Sequence, residues 1–196
     1  ATADGAVRYV DADNASGTEN GETWATAFTT ITDGVTAATA GDEVWVAEGT
    51  YPEEVLLKAG VGLYGGFEGP GSDFDDRDPE TFETTIDGES ARRCVEGAEG
   101  AHLEGFTLLD GFIGGSGGGL FNIDVSMTVS HVVFRSCSAG ISGGALFSSG
   151  AATVSVFEDC RFEDNQSGNP IGGGVTSLSG GESTFLRCVF VRNTTL

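Results

Sequence analysis

The stretch from Gly143 to Asn165 reads GGALFSSGAATVSVFEDCRFEDN, and the stretch from Gly172 to Asn193 reads GGGVTSLSGGESTFLRCVFVRN. Both begin with a glycine cluster, continue through a β-branched and aromatic run, and end with asparagine three residues after a phenylalanine. Self-similarity at a fixed period of roughly 20 to 50 residues is the signature of a solenoid. The two stretches therefore decide the fold, because they predict similar units stacked on one another.

Four phenylalanines give the period of the repeat. The residue numbers of Phe106, Phe134, Phe162 and Phe190 increase by 28 at each step. The apolar bursts are short and rich in β-branched and aromatic residues, which favours strands over helices. The sequence predicts an all-β fold, a right-handed parallel β-helix with coils of about 28 residues. The four phenylalanines should form a stack inside it.

Two further pairs recur at the same interval. Asn193 follows Asn165 by one such period, and Cys188 follows Cys160 by the same period. The asparagines are predicted to stack at a turn, where side-chain amides hydrogen-bond along a ladder. The two cysteines are predicted to be inward-facing neighbours, which leaves open a disulfide or a stack of thiols.

The N-terminal half predicts the only helix. Apolar residues from Trp24 to Ala38 follow one another at steps of 4, 3, 4 and 3, which is one face of a helix over about residues 24–39. Residues 1–90 are predicted to form this amphipathic capping helix and the first coils, with an acidic loop at residues 68–83. Residues 91–196 are predicted to form regular coils. With no matching lid at the C-terminal end, the last coil should continue into or contact something beyond residue 196.

The charge balance narrows the classes of partner. The chain has 30 acidic residues against nine basic ones, a net charge of −21. Nucleic acids and anionic membranes bind basic patches, so neither is predicted as a partner. No apolar run approaches the roughly 18 residues of a membrane span. The opening ATADG resembles what remains after signal-peptide cleavage, which predicts an extracellular or cell-surface mature chain without its signal peptide.

Two groups of acids are candidate calcium ligands: Asp73, Asp75, Asp76 and Asp78 in the acidic loop, and Asp11, Asp13 and Glu22 near the N-terminus. Calcium prefers carboxylate oxygens. The second group falls at positions 1, 3 and 12 of a loop of EF-hand length, but Ser16 stands where that loop requires glycine. The alternatives are a solvated insertion for the first group and a polar turn for the second. No other cofactor is predicted.

Short motifs add a family resemblance. GGAL paired with FEDN, and GGGV paired with FVRN, resemble the GGA[ILV] and FxxN motifs of the polymorphic outer-membrane protein repeat family. GGGL paired with FRSC departs from the pattern, since Cys137 replaces the asparagine, and FTLLDG lacks both motifs. The N-terminal stretch from Tyr9 to Gly69 is similar to the opening of secreted bacterial β-helix proteins of the pectin-lyase-like fold. The resemblance implies a bacterial surface protein or autotransporter passenger.

Function is predicted from these features together. We expect a non-catalytic structural or adhesive protein, with a self-assembling filament or appendage subunit as one form of it. Its partners would be further copies, surface or matrix components, or glycans. The alternative is a polysaccharide lyase or glycoside hydrolase, which requires acids and a base from several coils to meet in one groove. No catalytic residue is predicted, because His102 and His131 are the only histidines.

Overall fold

The chain forms an all-β parallel β-helix solenoid. The computed structural model describes residues 5–150, 154–168, 172, 174–178 and 182–195. Residues 1–4 of the ATADG opening and Leu196, on which two of the predictions above depend, lie outside these ranges. Within them, no helix is long and apolar enough to cross a membrane.

Short strands make up most of the described chain. In chain order they are β1 Val7–Val10, β2 Glu43–Ala47, β3 Gly49–Tyr51, β4 Val55–Leu56, β5 Gly62–Phe67, β6 Thr84–Asp87, β7 Val95–Glu96, β8 His102–Glu104, β9 Phe106–Leu109, β10 Phe112–Ile113, β11 Leu120–Ile123, β12 Thr128–Ser130, β13 Val133–Arg135, β14 Ser138–Ala139, β15 Leu146–Ser149, β16 Val154–Glu158, β17 Arg161–Glu163, β18 Gln166–Ser167, β19 Val175–Leu178, β20 Glu182–Leu186, β21 Val189–Val191 and β22 Thr194–Thr195.

These strands stack into four parallel sheets. Sheet A runs in the order β1-β2-β5-β8-β12-β16-β20, and sheet B in the order β3-β6-β9-β13-β17-β21. Sheet C is β10-β14-β18-β22, and sheet D is β4-β7-β11-β15-β19. From β8 onward, each coil contributes one strand to A, then B, then C and then D. Inward side chains from sheets A, B and D share one core, which is why their strands alternate between buried and outward residues.

Coil length varies more than the sequence predicts. Val44, Leu63, Leu103, Val129, Phe157 and Phe185 are successive partners in sheet A. Their residue numbers differ in turn by 19, 40, 26, 28 and 28. The acidic loop lies within the longest of these intervals, and the predicted period holds only for the last two. The predicted period is therefore wrong for the first coils.

The aromatic stack differs from the prediction at one position. Phe134, Phe162 and Phe190 stack face to face, with successive ring centroids 4.5 and 4.7 Å apart. Phe134 pairs with Leu108, whereas Phe106 pairs with Thr84 in a neighbouring inward column. Placing Phe106 in the stack was wrong, because the coil between Leu108 and Phe134 is shorter than the predicted period. The column continues below Leu108 through Ile86 and Tyr51.

The helix is shorter than predicted. Trp24–Thr26 forms a 3-10 turn, and the α-helix α1 covers only Ile31–Ala37. Ile31 and Val35 are buried, and the Glu53 carboxylate accepts hydrogen bonds from the first helical N–H groups, 2.8 Å from Ile31 N. The prediction of one helix over residues 24–39 fails because the extended residues Ala27 and Thr30 separate the two segments. The role of α1 as a cap on the stack stays a prediction.

The glycine clusters occupy the corner that leads into sheet D. The first glycine of each cluster, Gly117, Gly143 or Gly172, has a positive φ of 62° to 73°, a conformation that favours glycine. The next glycine in two of them is packed against backbone. A Cβ on Gly118 would lie 2.2 Å from the carbonyl oxygen of Ser138, and one on Gly144 would lie 2.2 Å from that of Gln166. The clusters therefore allow two coils to approach closely at this corner.

We expect Gly144→Ala to lower the free energy of unfolding by about 3 kcal/mol, because the new methyl group overlaps a backbone carbonyl that is fixed by the next coil. Gly115→Ala is the matched control, since its Cβ would meet nothing closer than Ile113 Cγ1 at 4.0 Å. The control should cost less than about 0.5 kcal/mol. Urea unfolding followed by circular dichroism measures both, and equal losses would contradict the close approach.

Candidate functional site

The outer face of sheet A carries a group of interacting polar side chains beside the acidic loop. His102 and Glu104 flank the inward Leu103 on β8, so both point outward. His102 Nε2 lies 2.8 Å from Glu104 Oε2 and 3.4 Å from Ser130 Oγ on the next coil. Arg77, from the acidic loop, donates from Nη1 to Glu104 Oε1 at 3.1 Å. We call Arg77, His102, Glu104 and Ser130 the sheet A cluster.

Aromatic rings hold Arg77 in this cluster. Its side chain is only 7% exposed, and its guanidinium lies 4.8 Å from the ring centroid of Phe74 and 5.2 Å from that of Tyr64. Its Nε donates to the Gly65 carbonyl at 2.9 Å. Cation–π contacts of this kind strengthen when water is excluded. The acidic loop therefore packs back onto the sheet at Arg77, while its four aspartates remain exposed to solvent.

The cluster favours a permanently ionised carboxylate. The hydrogen bond from His102 and the nearby Arg77 guanidinium lower the pKa of Glu104 to about 2, against the opposing effect of burial. Glu104 and Ser130 both approach the same imidazole nitrogen, Nε2. A serine–histidine–acid relay needs the acid on one ring nitrogen and the serine on the other. The arrangement thus ties the loop to the sheet electrostatically and does not activate Ser130 as a nucleophile.

Acid should weaken the interaction of Glu104 with Arg77, which links the acidic loop to sheet A. The pKa of Glu104 is about 2 in the folded protein against an ordinary value of 4.5, so its contribution is present above about pH 4.5 and lost as the pH falls towards 2. We expect Glu104→Gln to lower the thermal midpoint near neutral pH, and the difference from the parent chain to shrink towards pH 2. Thermal melts across this range measure it. Glu80→Gln, on the exposed side of the same loop, is the control, and a Glu104→Gln difference that stays constant with pH would contradict the assignment.

Three aspartates of the acidic loop accept hydrogen bonds from other residues of the same loop. Asp73 and Asp76 form a reciprocal capping box around the 3-10 turn Phe74–Asp76. Asp78 Oδ2 accepts a hydrogen bond from the Thr81 hydroxyl at 2.7 Å, and this bond lowers the pKa of Asp78. Asp75 lies within the same turn. The structure does not converge these four carboxylates on one point.

The second calcium candidate forms a polar turn. Asp11 Oδ1 accepts from the backbone N–H of Asp13 at 2.9 Å, and Glu22 Oε2 accepts from Asn20 Nδ2 at 3.1 Å. Glu22 is thus engaged with its neighbour, away from the two aspartates. Across the described ranges, no three histidine, cysteine, aspartate or glutamate side chains are grouped so as to hold a metal ion.

The predicted asparagine pair lies inside the corner between sheets B and C. Asn165 Oδ1 accepts from Cys137 N at 2.9 Å, and its Nδ2 donates to Phe134 O at 2.9 Å and to Asn193 Oδ1 at 2.8 Å. Asn193 repeats the pattern one coil later, accepting from Asn165 N and donating to Phe162 O. Cys137 occupies the same position one coil earlier. We call this column the asparagine ladder.

The predicted cysteine pair consists of free thiols. Cys160 and Cys188 are stacked neighbours, since Val189 N donates to Cys160 O at 2.9 Å. Burial raises the pKa of Cys160 to about 12, so its thiol is a poor nucleophile. The two residues are stacked free thiols in this structure, and their oxidation to a disulfide stays a prediction.

The comparisons with known proteins give a family. The family model described as "Protein of unknown function (DUF1565)" matches residues 12–183. The chain belongs to the DUF1565 family. No curated protein and no solved structure matches it.

This DUF1565 chain contains two columns of turn residues that sequence reasoning missed. His131, Asp159 and Arg187 stack at the corner between sheets A and B, all with φ of 52° or 53°. The corner between sheets B and C has the same conformation at four stacked residues: Asp110, Ser136, Asp164 and Arg192. A non-glycine residue in the left-handed region costs about 1 kcal/mol. The sequence signal was their recurrence once in every coil, which the variable residue types concealed.

Ion pairs join these columns from coil to coil. Arg187 Nε lies 2.7 Å from Asp159 Oδ1, and Arg192 Nε lies 2.6 Å from Asp164 Oδ1. On sheet B, Glu163 accepts from Arg135 at 2.7 Å across coils and from Arg161 at 2.5 Å on its own strand. These contacts lower the pKa values of all three acids.

The acidity of the DUF1565 chain is unevenly distributed. Residues 1–100 hold 22 acidic side chains against five basic ones, and residues 101–196 hold eight against four. All four arginines of the second half take part in the pairs described above. Most of the net negative charge therefore belongs to residues 1–100, which carry −17 against −4 for residues 101–196.

Proposed function

We propose that this DUF1565 chain is a non-catalytic structural or adhesive module of an extracellular or cell-surface protein. The observation that carries the proposal is that its outward arginines and acids are paired from one coil to the next, as in Arg187 with Asp159 and Arg192 with Asp164. Single exposed pairs stabilise little, but this series links the last three coils to one another. Such a surface suits a stiff rod that displays its faces to a partner.

The repeat motifs support a surface protein of the polymorphic outer-membrane protein type. Each motif position has a structural task in this chain: the first glycine turns the corner, the phenylalanine joins the core stack, and the asparagine joins the ladder. The motif residues therefore shape each coil, as expected if these coils are repeats of the polymorphic outer-membrane protein type. Membership of the DUF1565 family is compatible with a β-helix surface protein.

The geometry favours this function over a polysaccharide lyase or hydrolase. A groove of about 260 Å³ between the acidic loop and sheet B is lined by Pro79, Glu80, His131, Val133, Asp159 and Arg161. It contains acids and bases from different coils, as a lyase requires. However, Asp159 is engaged by Arg187, and Arg161 is engaged by Glu163. Charged groups committed to each other are poor candidates for proton abstraction.

Self-association is part of the proposal. Strands β20, β21 and β22 each pair on one side only in the described sheets, and Phe190 is 50% exposed. Another coil, from the same chain or from a second molecule, would cover that ring and pair with those strands. Light scattering and negative-stain imaging, with and without calcium, test assembly and its dependence on calcium.

Binding and cleavage assays test the function directly. Immobilised matrix proteins and a panel of neutral and acidic glycans would be incubated with the purified chain. We expect saturable binding without release of reducing ends or unsaturated sugars. Asp75→Asn and Glu182→Gln each remove one negative charge, the first from residues 1–100 and the second from residues 101–196. Comparing the two variants shows which of these regions carries the binding surface. Turnover of any glycan, or no binding to any surface together with a stable monomer, would overturn the proposal.

A further inference from the structure

We propose that Cys94 and Cys137 are a dithiol pair that oxidises to a disulfide joining two coils of the solenoid. The sequence spacing that relates Cys160 to Cys188 does not relate these two residues, which are 43 positions apart. The inference rests on the proposed extracellular location only for its oxidant. It adds a modification site that the adhesive function does not require.

The two sulfurs lie next to each other in the core. Cys94 Sγ is 3.3 Å from Leu109 O, and Cys137 Sγ is 3.3 Å from Leu108 O, so they approach consecutive carbonyls of one strand. The neighbouring Cys137 thiol raises the pKa of Cys94. Both residues are fully buried, so the two thiols are shielded from solvent.

Glycine provides the space for this contact. Gly111 is the residue directly below Cys137 in the column, since Ser138 N donates to Gly111 O at 2.7 Å. A Cβ on Gly111 would lie 2.8 Å from Cys94 Sγ. The Cys94 sulfur thus fills the place where a side chain of the next ladder residue would project. On the other side, a Cβ on Gly119 would lie 3.2 Å from Cys137 Sγ.

The position of the pair gives it a structural purpose. The asparagine ladder runs from Asn193 through Asn165 to the backbone of Cys137 and ends there. At the same level the coils change in length, since the interval from Leu103 to Val129 is shorter than that from Val129 to Phe157. A covalent link at this level would join the irregular first coils to the regular ones where the amide ladder no longer does so. Crosslinks that close long loops restrict the unfolded chain most.

The chemistry is thiol–disulfide exchange with a small external disulfide such as oxidised glutathione. One cysteine thiolate attacks the external disulfide and releases one glutathione thiol. The second cysteine then attacks the mixed disulfide and releases the other, so two protein thiols become one disulfide and one glutathione disulfide becomes two thiols. The neighbouring Cys137 thiol and burial raise the pKa of Cys94, so exchange should proceed while the coil is open during folding.

Refolding the Cys160→Ala/Cys188→Ala chain tests the pair in isolation. The reduced, unfolded chain would be refolded in a glutathione redox buffer, unfolded again with iodoacetamide present, and analysed by intact mass and non-reducing peptide mapping. We expect no alkylated cysteine and one peptide that links Cys94 to Cys137. Two alkylated cysteines in a chain with native circular dichroism, or only intermolecular links, would overturn the proposal.

Two further measurements test the proposal even if the Cys160→Ala/Cys188→Ala chain does not fold. The full chain, refolded in the same way, should give the same linked peptide. In the background of Cys160→Ala/Cys188→Ala, a further Cys94→Ala change should leave Cys137 alkylated and remove the rise in thermal midpoint that oxidation produces. The surface-binding assays use no thiol chemistry, so a failure here leaves the proposed function standing, and the reverse also holds.

Discussion

Replacing Phe162 with alanine should lower the free energy of unfolding by about 4 kcal/mol. Phe162 is fully buried and lies between Phe134 and Phe190, with ring centroids 4.5 and 4.7 Å away. Removing it deletes the apolar contacts of one ring and leaves a cavity between two others. The coils on either side are held in register by sheet B, so they have little freedom to collapse into the space. Equilibrium unfolding in guanidinium measures the loss.

Phe190→Ala is the matched control for this prediction. It has the same side chain in the same column, but it is 50% exposed and stacks on one neighbour only. We expect it to cost about 1 to 2 kcal/mol, in proportion to the smaller apolar area that it buries. A loss at Phe190 as large as that at Phe162 would mean that the stack is not the source of the stability.

The sequence predicts the fold because the last coils repeat in residue type as well as in position. The glycine cluster, the phenylalanine and the asparagine recur at the same places in two coils, so their period is visible without a structure. The prediction that Phe106 joins the stack was wrong because Phe106 lies one predicted period before Phe134 only by chance. The residue that pairs with Phe134 is Leu108. Apolar residues exchange freely in a core column, so residue identity is a poor guide to register.

The sheet A cluster was not predictable for a different reason. Arg77 reaches Glu104 because the acidic loop folds back onto the sheet, where the Arg77 guanidinium contacts the rings of Tyr64 and Phe74. No periodicity in the sequence encodes that contact, which depends on the path of one irregular loop. The acids at residues 73–78 suggested calcium because they are clustered in sequence. Three of them are instead capping groups of short turns, a use that spacing alone does not separate from metal binding.

The asparagine ladder should depend on Asn165 as strongly as the core depends on Phe162. Asn165 is fully buried and satisfies Cys137 N, Phe134 O and Asn193 Oδ1. Alanine at this position leaves those buried groups without the amide, and each unsatisfied group costs about 1 to 3 kcal/mol. We expect Asn165→Ala to lower the free energy of unfolding by about 4 kcal/mol in total. Asn193 is partly exposed, so Asn193→Ala should lower the free energy of unfolding by about half as much.

An isosteric variant separates hydrogen bonding from packing at this position. Asn165→Asp keeps the shape and the acceptor for Cys137 N, but at neutral pH it places a carboxylate against two oxygens, Phe134 O and Asn193 Oδ1. Burial and these acceptors should raise the pKa of the new carboxyl above its unfolded value of about 4. The destabilisation should therefore be small below that pH and grow as the pH rises, whereas that of Asn165→Ala should stay constant. Thermal melts of both variants from acidic to neutral pH measure the difference, and parallel profiles would mean that Asn165 acts through its volume and not through its amide.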